Sequence, residues 1–126
     1  MASISNYADG LTLSMPVSNL DTSIAWYENV LGFTLLYRVD ERGWCELQSA
    51  VADVNVGLSV VETPNPGGAT PTFGVSDIAA AKATLEESGV RIDGDIMVFE
   101  GMVKLLTFYD PDNNSLMLFQ NIDEGG

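Results

Sequence analysis

The chain has 126 residues, 5 Lys plus Arg against 18 Asp plus Glu, no histidine, and a formal net charge of −13. Such a surface offers no cationic field to phosphates, which excludes nucleic acid and anionic membranes as partners. Hydrophobic residues make up 46%, enough for one core at this length, with no run near the ~18 apolar residues of a membrane helix.

From the N-terminus, no basic-then-apolar leader precedes the first alternating strand, "LTLSMPV", Leu11 to Val17. "SNLD" then leads into a helix whose Leu20, Ile24, Tyr27 and Leu31 share one face, with Asn19 as N-cap and Gly32 past its end. Three strand-like segments follow: "FTLLYRV", "GWCELQS" and "VNVGLSVVE". Cys45, the single cysteine, cannot form an internal disulfide and reads as a buried structural thiol, because no histidine exists to activate it. A free thiol and no leader place the expected location in the cytoplasm.

The second half follows the same script. Val17, Asn19, Leu20 and Gly32 correspond to Val75, Asp77, Ile78 and Gly89, and three more strand candidates follow around "IMVF", "VKLLTFY" and "SLMLFQN". "TPNPGGATP" between the halves suits a connector. The reading is one α+β domain over residues 1–126. Two βαβββ modules build it, residues 11–62 and 69–122 with connector 63–71, their helices on the outer face of a cupped mixed sheet.

Alternation assigns the strand faces. Leu11, Leu13, Met15 and Val17 face the helix, as do Val54, Val56, Leu58, Val60, Cys45 and Leu47. The opposite face receives Thr12, Ser14, Trp44, Glu46, Gln48, Asn55, Gly57 and Ser59, and from the second half Leu105, Thr107, Tyr109, Met117 and Phe119. That mixture of small polar groups, large aromatics and one carboxylate fits a sheet curled around a small-molecule pocket.

"VSNLDTSIAWYENVLGF" resembles the helix signature of the vicinal oxygen chelate superfamily, the glyoxalase, bleomycin-resistance and extradiol dioxygenase group. "DPDNNSLMLFQ" resembles its C-terminal strand entry, and the likeness spans residues 11–122. The resemblance implies two modules whose strands cup an active site, in a homodimer. It also implies a divalent metal on four side chains, which fall here on Thr12, Gly57, Thr70 and Met117. None is a usual ligand for zinc, nickel or iron, so no metal and no cofactor are expected. That removes the metal-dependent glyoxalase and dioxygenase chemistries.

What remains is the pocket. Metal-free bleomycin-resistance-like members bind an antibiotic between two subunits, so the first functional reading is sequestration of an organic ligand, cationic or aromatic, by a homodimer. Thr12, Ser14, Trp44, Gly57, Thr70, Thr107, Tyr109, Met117 and Phe119 are the candidate ligand contacts, with Tyr37 a further stacking candidate. The second reading is a metal-independent isomerase, epimerase or lyase in which Glu46, among Trp44, Tyr109 and Phe119, is the general base. In its structural reading Glu46 is instead satisfied by Thr107 or a tyrosine hydroxyl. A purely structural or regulatory binding module is the third class. The acidity reads first as solubility, including in salty surroundings, and second as attraction for a cation.

Elemental analysis of protein purified without chelator is expected to find far less than one equivalent of Zn, Ni, Mn or Fe per chain. A stoichiometric, chelator-sensitive metal would return the metal-enzyme reading.

Overall fold

The computed structural model describes residues 5–6, 8–65 and 68–122. Pro66 and Gly67 of the connector, and residues 1–4, in which no leader was read, lie outside the described residues. The first strand, β1 (Leu11–Val17), enters helix α1 (Leu20–Leu31), then β2 (Thr34–Val39), β3 (Trp44–Gln48) and β4 (Val54–Val60). The second set is β5 (Thr72–Gly74), α2 (Ile78–Glu87), β6 (Ile92–Phe99), β7 (Val103–Tyr109) and β8 (Ser115–Asn121).

Both helices start as their sequences dictate. Asn19 accepts from Thr22 N at 2.9 Å and Asp77 from Ala80 N at 3.1 Å, so each cap satisfies a donor that the first helical turn leaves orphaned. Leu20 and Ile78, the first residue of each helix, are buried. Gly32 ends α1 with φ 76° and returns its N–H to Glu28 O, a conformation that costs a glycine nothing.

Two four-stranded mixed sheets result, ordered β1-β4-β3-β2 and β5-β8-β7-β6. In each, the first and last strands pair in parallel and the others antiparallel. This α+β architecture carries the alternation expected of it: Met15, Val17, Cys45, Leu47, Val56 and Leu58 are buried, with Leu106, Phe108, Leu116 and Leu118 on the second sheet. Strand ends depart from it. Leu11 (58% exposed) and Val60 (39%) run past the helix and find no cover. β6 starts at Ile92, earlier than the "IMVF" segment, because a register shift between Asp93 and Met97, with Gly94 at φ 71°, breaks the alternation that would have revealed it.

One continuous core joins the modules, and its cross-module contacts come from helix-facing residues. Phe33 meets Phe73 at a centroid distance of 5.7 Å, and Trp26 meets Phe108 at 6.3 Å. At their centre lies a buried carboxylate. Asp110 accepts Tyr27 Oη at 2.8 Å, the backbone N–H groups of Asp112 and Asn114 at 2.9 and 2.8 Å, and Asn114 Nδ2 at 2.8 Å. Asn114 Nδ2 also reaches Pro16 O at 2.8 Å, and Ser18 N donates to Asp112 at 3.0 Å. The "DPDNN" turn, with Asn113 at φ 67°, thus fastens the second module to β1 and α1 of the first.

Burial, then the Asp110 charge, raises the Tyr27 phenol above its ordinary value of 10.0. Below that value Tyr27 is protonated in both states and its contribution is intact. Above it the unfolded chain ionises while the folded one resists, so stability is lost as pH rises, at up to about 1.4 kcal/mol per unit. Tyr27→Phe is expected to cost about 1–3 kcal/mol near neutrality, because a buried carboxylate loses a donor, and to flatten the loss above pH 10. Urea titrations across that range measure both; a variant as stable as the parent at neutral pH would contradict the assignment.

Candidate functional site

On β3, Cys45 and Leu47 turn into the core and Trp44, Glu46 and Gln48 turn the other way. The register sets Glu46 opposite Tyr37 on β2 and Gly57 on β4. Tyr37 reaches this face only because the β2–β3 register slips after Leu35, leaving Leu36 as the extra residue. Without that bulge Leu36 would stand opposite Glu46 and Tyr37 opposite Cys45.

Glu46 is therefore the hub of a polar network. Its Oε1 accepts Tyr37 Oη at 3.0 Å, and its Oε2 accepts Asn55 Nδ2 at 2.8 Å and Thr12 Oγ1 at 3.3 Å. Trp44 Nε1 donates to Tyr37 Oη at 3.2 Å, linking the indole to the same carboxylate. All three donors to Glu46 are neutral, and no described cation forms an ion pair with it. A carboxylate offers about four acceptor directions, so at least one remains for a donor from outside. Thr12 and Asn55 also line a recess of about 480 Å³ at the open end of this sheet, beside Asp9 and Asp53. The face is anionic, aromatic and hydrogen-bonded, which suits it to hold a cation or a ring.

Of the sequence candidates, Thr12, Ser14, Trp44, Glu46 and Gly57 lie on this first sheet, and Thr70, Thr107, Tyr109, Met117 and Phe119 lie on or beside the second. No hydrogen bond joins the two open faces among the described residues, and the recesses of about 480 and 320 Å³ share no lining residue. Of the two partners expected in its structural reading, Glu46 has the tyrosine hydroxyl, that of Tyr37, and not Thr107, and the expected cluster of Glu46 with Tyr109 and Phe119 does not form within the chain. Tyr109 is engaged elsewhere. Arg91 Cζ lies 4.1 Å from its ring centroid, its hydroxyl donates to Asp93 at 3.0 Å, and it borders a separate recess of about 320 Å³ with Trp26 and Pro111. The Asp93 hydrogen bond raises its phenol. Asn55 is the contact that residue-type reasoning passed over; its place on the open face followed from alternation, its bond to Glu46 only from the register.

The four positions onto which the resemblance carries a metal site do not fit an ion here. Thr12 donates its hydroxyl to Glu46, and Thr70 Oγ1 shares a hydrogen bond of 2.9 Å with Ser115 Oγ. Gly57 has no side chain, and the Trp44 indole fills the space where one would stand. Met117 offers a soft thioether, poorly matched to hard divalent ions. No group of three or more His, Cys, Asp or Glu able to hold a metal occurs among the described residues. Cys45 is fully buried, and burial raises its thiol, so it is no ready nucleophile.

Comparison with known proteins bears on the same features. TnmS3, an antibiotic binding protein from Streptomyces sp. CB03234, is 27% identical, with a TM-score of 0.77 over 94% of this chain and 100% of its own. The integron cassette protein HFX_CASS4, from the mobile metagenome of the Halifax Harbour sewage outfall, is 25% identical with a TM-score of 0.76 over 88% and 97%. The fosfomycin resistance protein FosX of Listeria monocytogenes shares the fold at 15% identity, with a TM-score of 0.75 over 95% and 96%. No curated protein matches the sequence significantly. The model of the Glyoxalase/Bleomycin resistance protein/Dioxygenase superfamily matches residues 10–118, with the two capped helices and the "DPDNN" turn inside that span, and the chain belongs to that superfamily.

Proposed function

We propose that this chain is a small-molecule-binding protein that sequesters an organic ligand, cationic or aromatic, on the open face of its first sheet, without a metal. The observation that carries the reading is the Glu46 network: a carboxylate anchored by Tyr37, Asn55 and Thr12 beside the Trp44 indole. A fixed anion next to a ring attracts a cation through charge and quadrupole together, and the net charge of −13 extends that attraction outward. The antibiotic-binding TnmS3, similar over 94% of this chain, supports a binding role.

The reading includes a homodimer. The open face of each sheet lacks a partner within the chain, and Leu11, Leu36, Tyr37, Met97, Phe99 and Met102 leave large apolar surface uncovered. A twofold-related copy covers such surface and closes a pocket over the ligand. The cytoplasm is the expected location, where Cys45 stays reduced. Among the described residues, no helix is long and apolar enough to cross a membrane.

Calorimetry with a panel of cationic aromatic antibiotics, combined with product analysis, tests the binding role. Trp44→Ala is expected to weaken binding by about 2 kcal/mol or more. Glu46→Gln is expected to weaken charged ligands about tenfold and neutral ones little. Turnover by the parent that vanishes in Glu46→Gln would establish the isomerase, epimerase or lyase reading instead. Sedimentation at micromolar concentration is expected to report a dimer; a monomer that binds with full affinity would remove the second copy from the site.

A further inference from the structure

Gly57 sits mid-strand in β4 and is buried, and its φ is not positive. Its backbone therefore makes no demand that another residue could not meet. Glycine within a strand costs roughly 0.5–1 kcal/mol relative to alanine, so its presence calls for a reason of space. The Trp44 indole supplies one. A Cβ built on Gly57 would lie 2.0, 2.6 and 2.9 Å from Cη2, Cζ2 and Cζ3 of that ring. No side chain coexists with the ring in this position.

The far edge of the indole is held as well, by Nε1 donating to Tyr37 Oη at 3.2 Å, and that hydroxyl donates in turn to Glu46 at 3.0 Å. Trp44 thus lies across β4 as a fixed plate, half-buried, with a carboxylate beside it. The second module repeats the device. A Cβ on Gly74, another strand glycine without positive φ, would lie 2.8 Å from Phe119 Cζ and 3.2 Å from Cε1 and Cε2. Each sheet has spent a glycine on seating one aromatic ring.

We infer that the corner of the fold assigned to a metal ligand has become an aromatic stacking plate set by Gly57, and that the ligand is a flat ring system resting on Trp44 with its positive edge toward Glu46. This rests on the binding role proposed above and adds planarity as the criterion of selection. Gly57 is then a specificity-determining residue that never touches the ligand through a side chain of its own. A methyl group at 57 must lift the ring, break its bond to Tyr37, or both.

A Trp26→Phe background leaves Trp44 as the sole tryptophan of the two in the chain and makes its emission a reporter. Proflavine, a flat three-ring cation, serves as the probe, followed by quenching and, where Trp44 is absent, by calorimetry. The parent is expected to bind it saturably. Gly57→Ala and Trp44→Ala are each expected to weaken it by about tenfold or more, whereas Gly57→Ala introduced into Trp44→Ala adds nothing. Urea midpoints of the same proteins give a reading that needs no probe: Gly57→Ala destabilises only while Trp44 is present. The stacking assignment is overturned by proflavine binding unchanged in Gly57→Ala, by losses that add, or by no saturable binding to the parent. Spermidine, a flexible cation, separates the two layers of the reading. If it binds through Glu46 as tightly as proflavine does, planarity falls and sequestration stands; chemical conversion of a bound ligand by the parent would overturn sequestration itself.

Discussion

The buried Asp110 carboxylate is the constraint on which the arrangement of this molecule depends. It is 4% exposed and has no cationic partner among the described ion pairs, so it persists because Tyr27, Asn114 and two backbone N–H groups supply the donors that water would otherwise provide. Those donors come from both modules. Satisfying one charge therefore obliges α1 and the β7–β8 turn to meet, and the Phe33–Phe73 and Trp26–Phe108 contacts assemble around that meeting. With the helix-facing sides committed to each other, the opposite faces of both sheets remain available for ligand and partner. The same geometry places Trp44 on one sheet and Tyr109 and Phe119 on the other.

A second carboxylate, Glu46, is managed differently. Asp110 is buried with its acceptor capacity filled, as befits a structural group, whereas Glu46 is partly exposed with three neutral donors and room for another. The first arrangement locks two modules; the second holds an anion ready at a surface. Two residues of one charge type thus take opposite roles, and the environment alone separates them.

Packing at position 57 can be stated in terms of volume. Gly57 leaves space on a sheet face, open space in a packed protein is costly, and the Trp44 indole fills it. An indole gives dispersion contact and a polarised face but cannot coordinate a hard cation.

Local signals determined a large part of this. Helix caps at Asn19 and Asp77, the αL stop at Gly32, the duplicated order of elements and the alternation of β3 and β4 are set by residues within a few positions of one another, so they were legible from the sequence. The lack of histidine and the poor ligand character of Thr12, Gly57, Thr70 and Met117 were likewise legible there. Tertiary structure decided what depends on register and on contacts between distant segments. The single extra residue at Leu36 turns Tyr37 toward Glu46, and no periodicity in "FTLLYRV" announces that slip. The choice of Asn55 and Thr12 over Thr107 as partners of Glu46 follows from which strands lie side by side, as does the burial of Tyr27 against Asp110, 83 positions away. Alternation assigns a side chain to a face; only strand pairing and module packing say what it meets there.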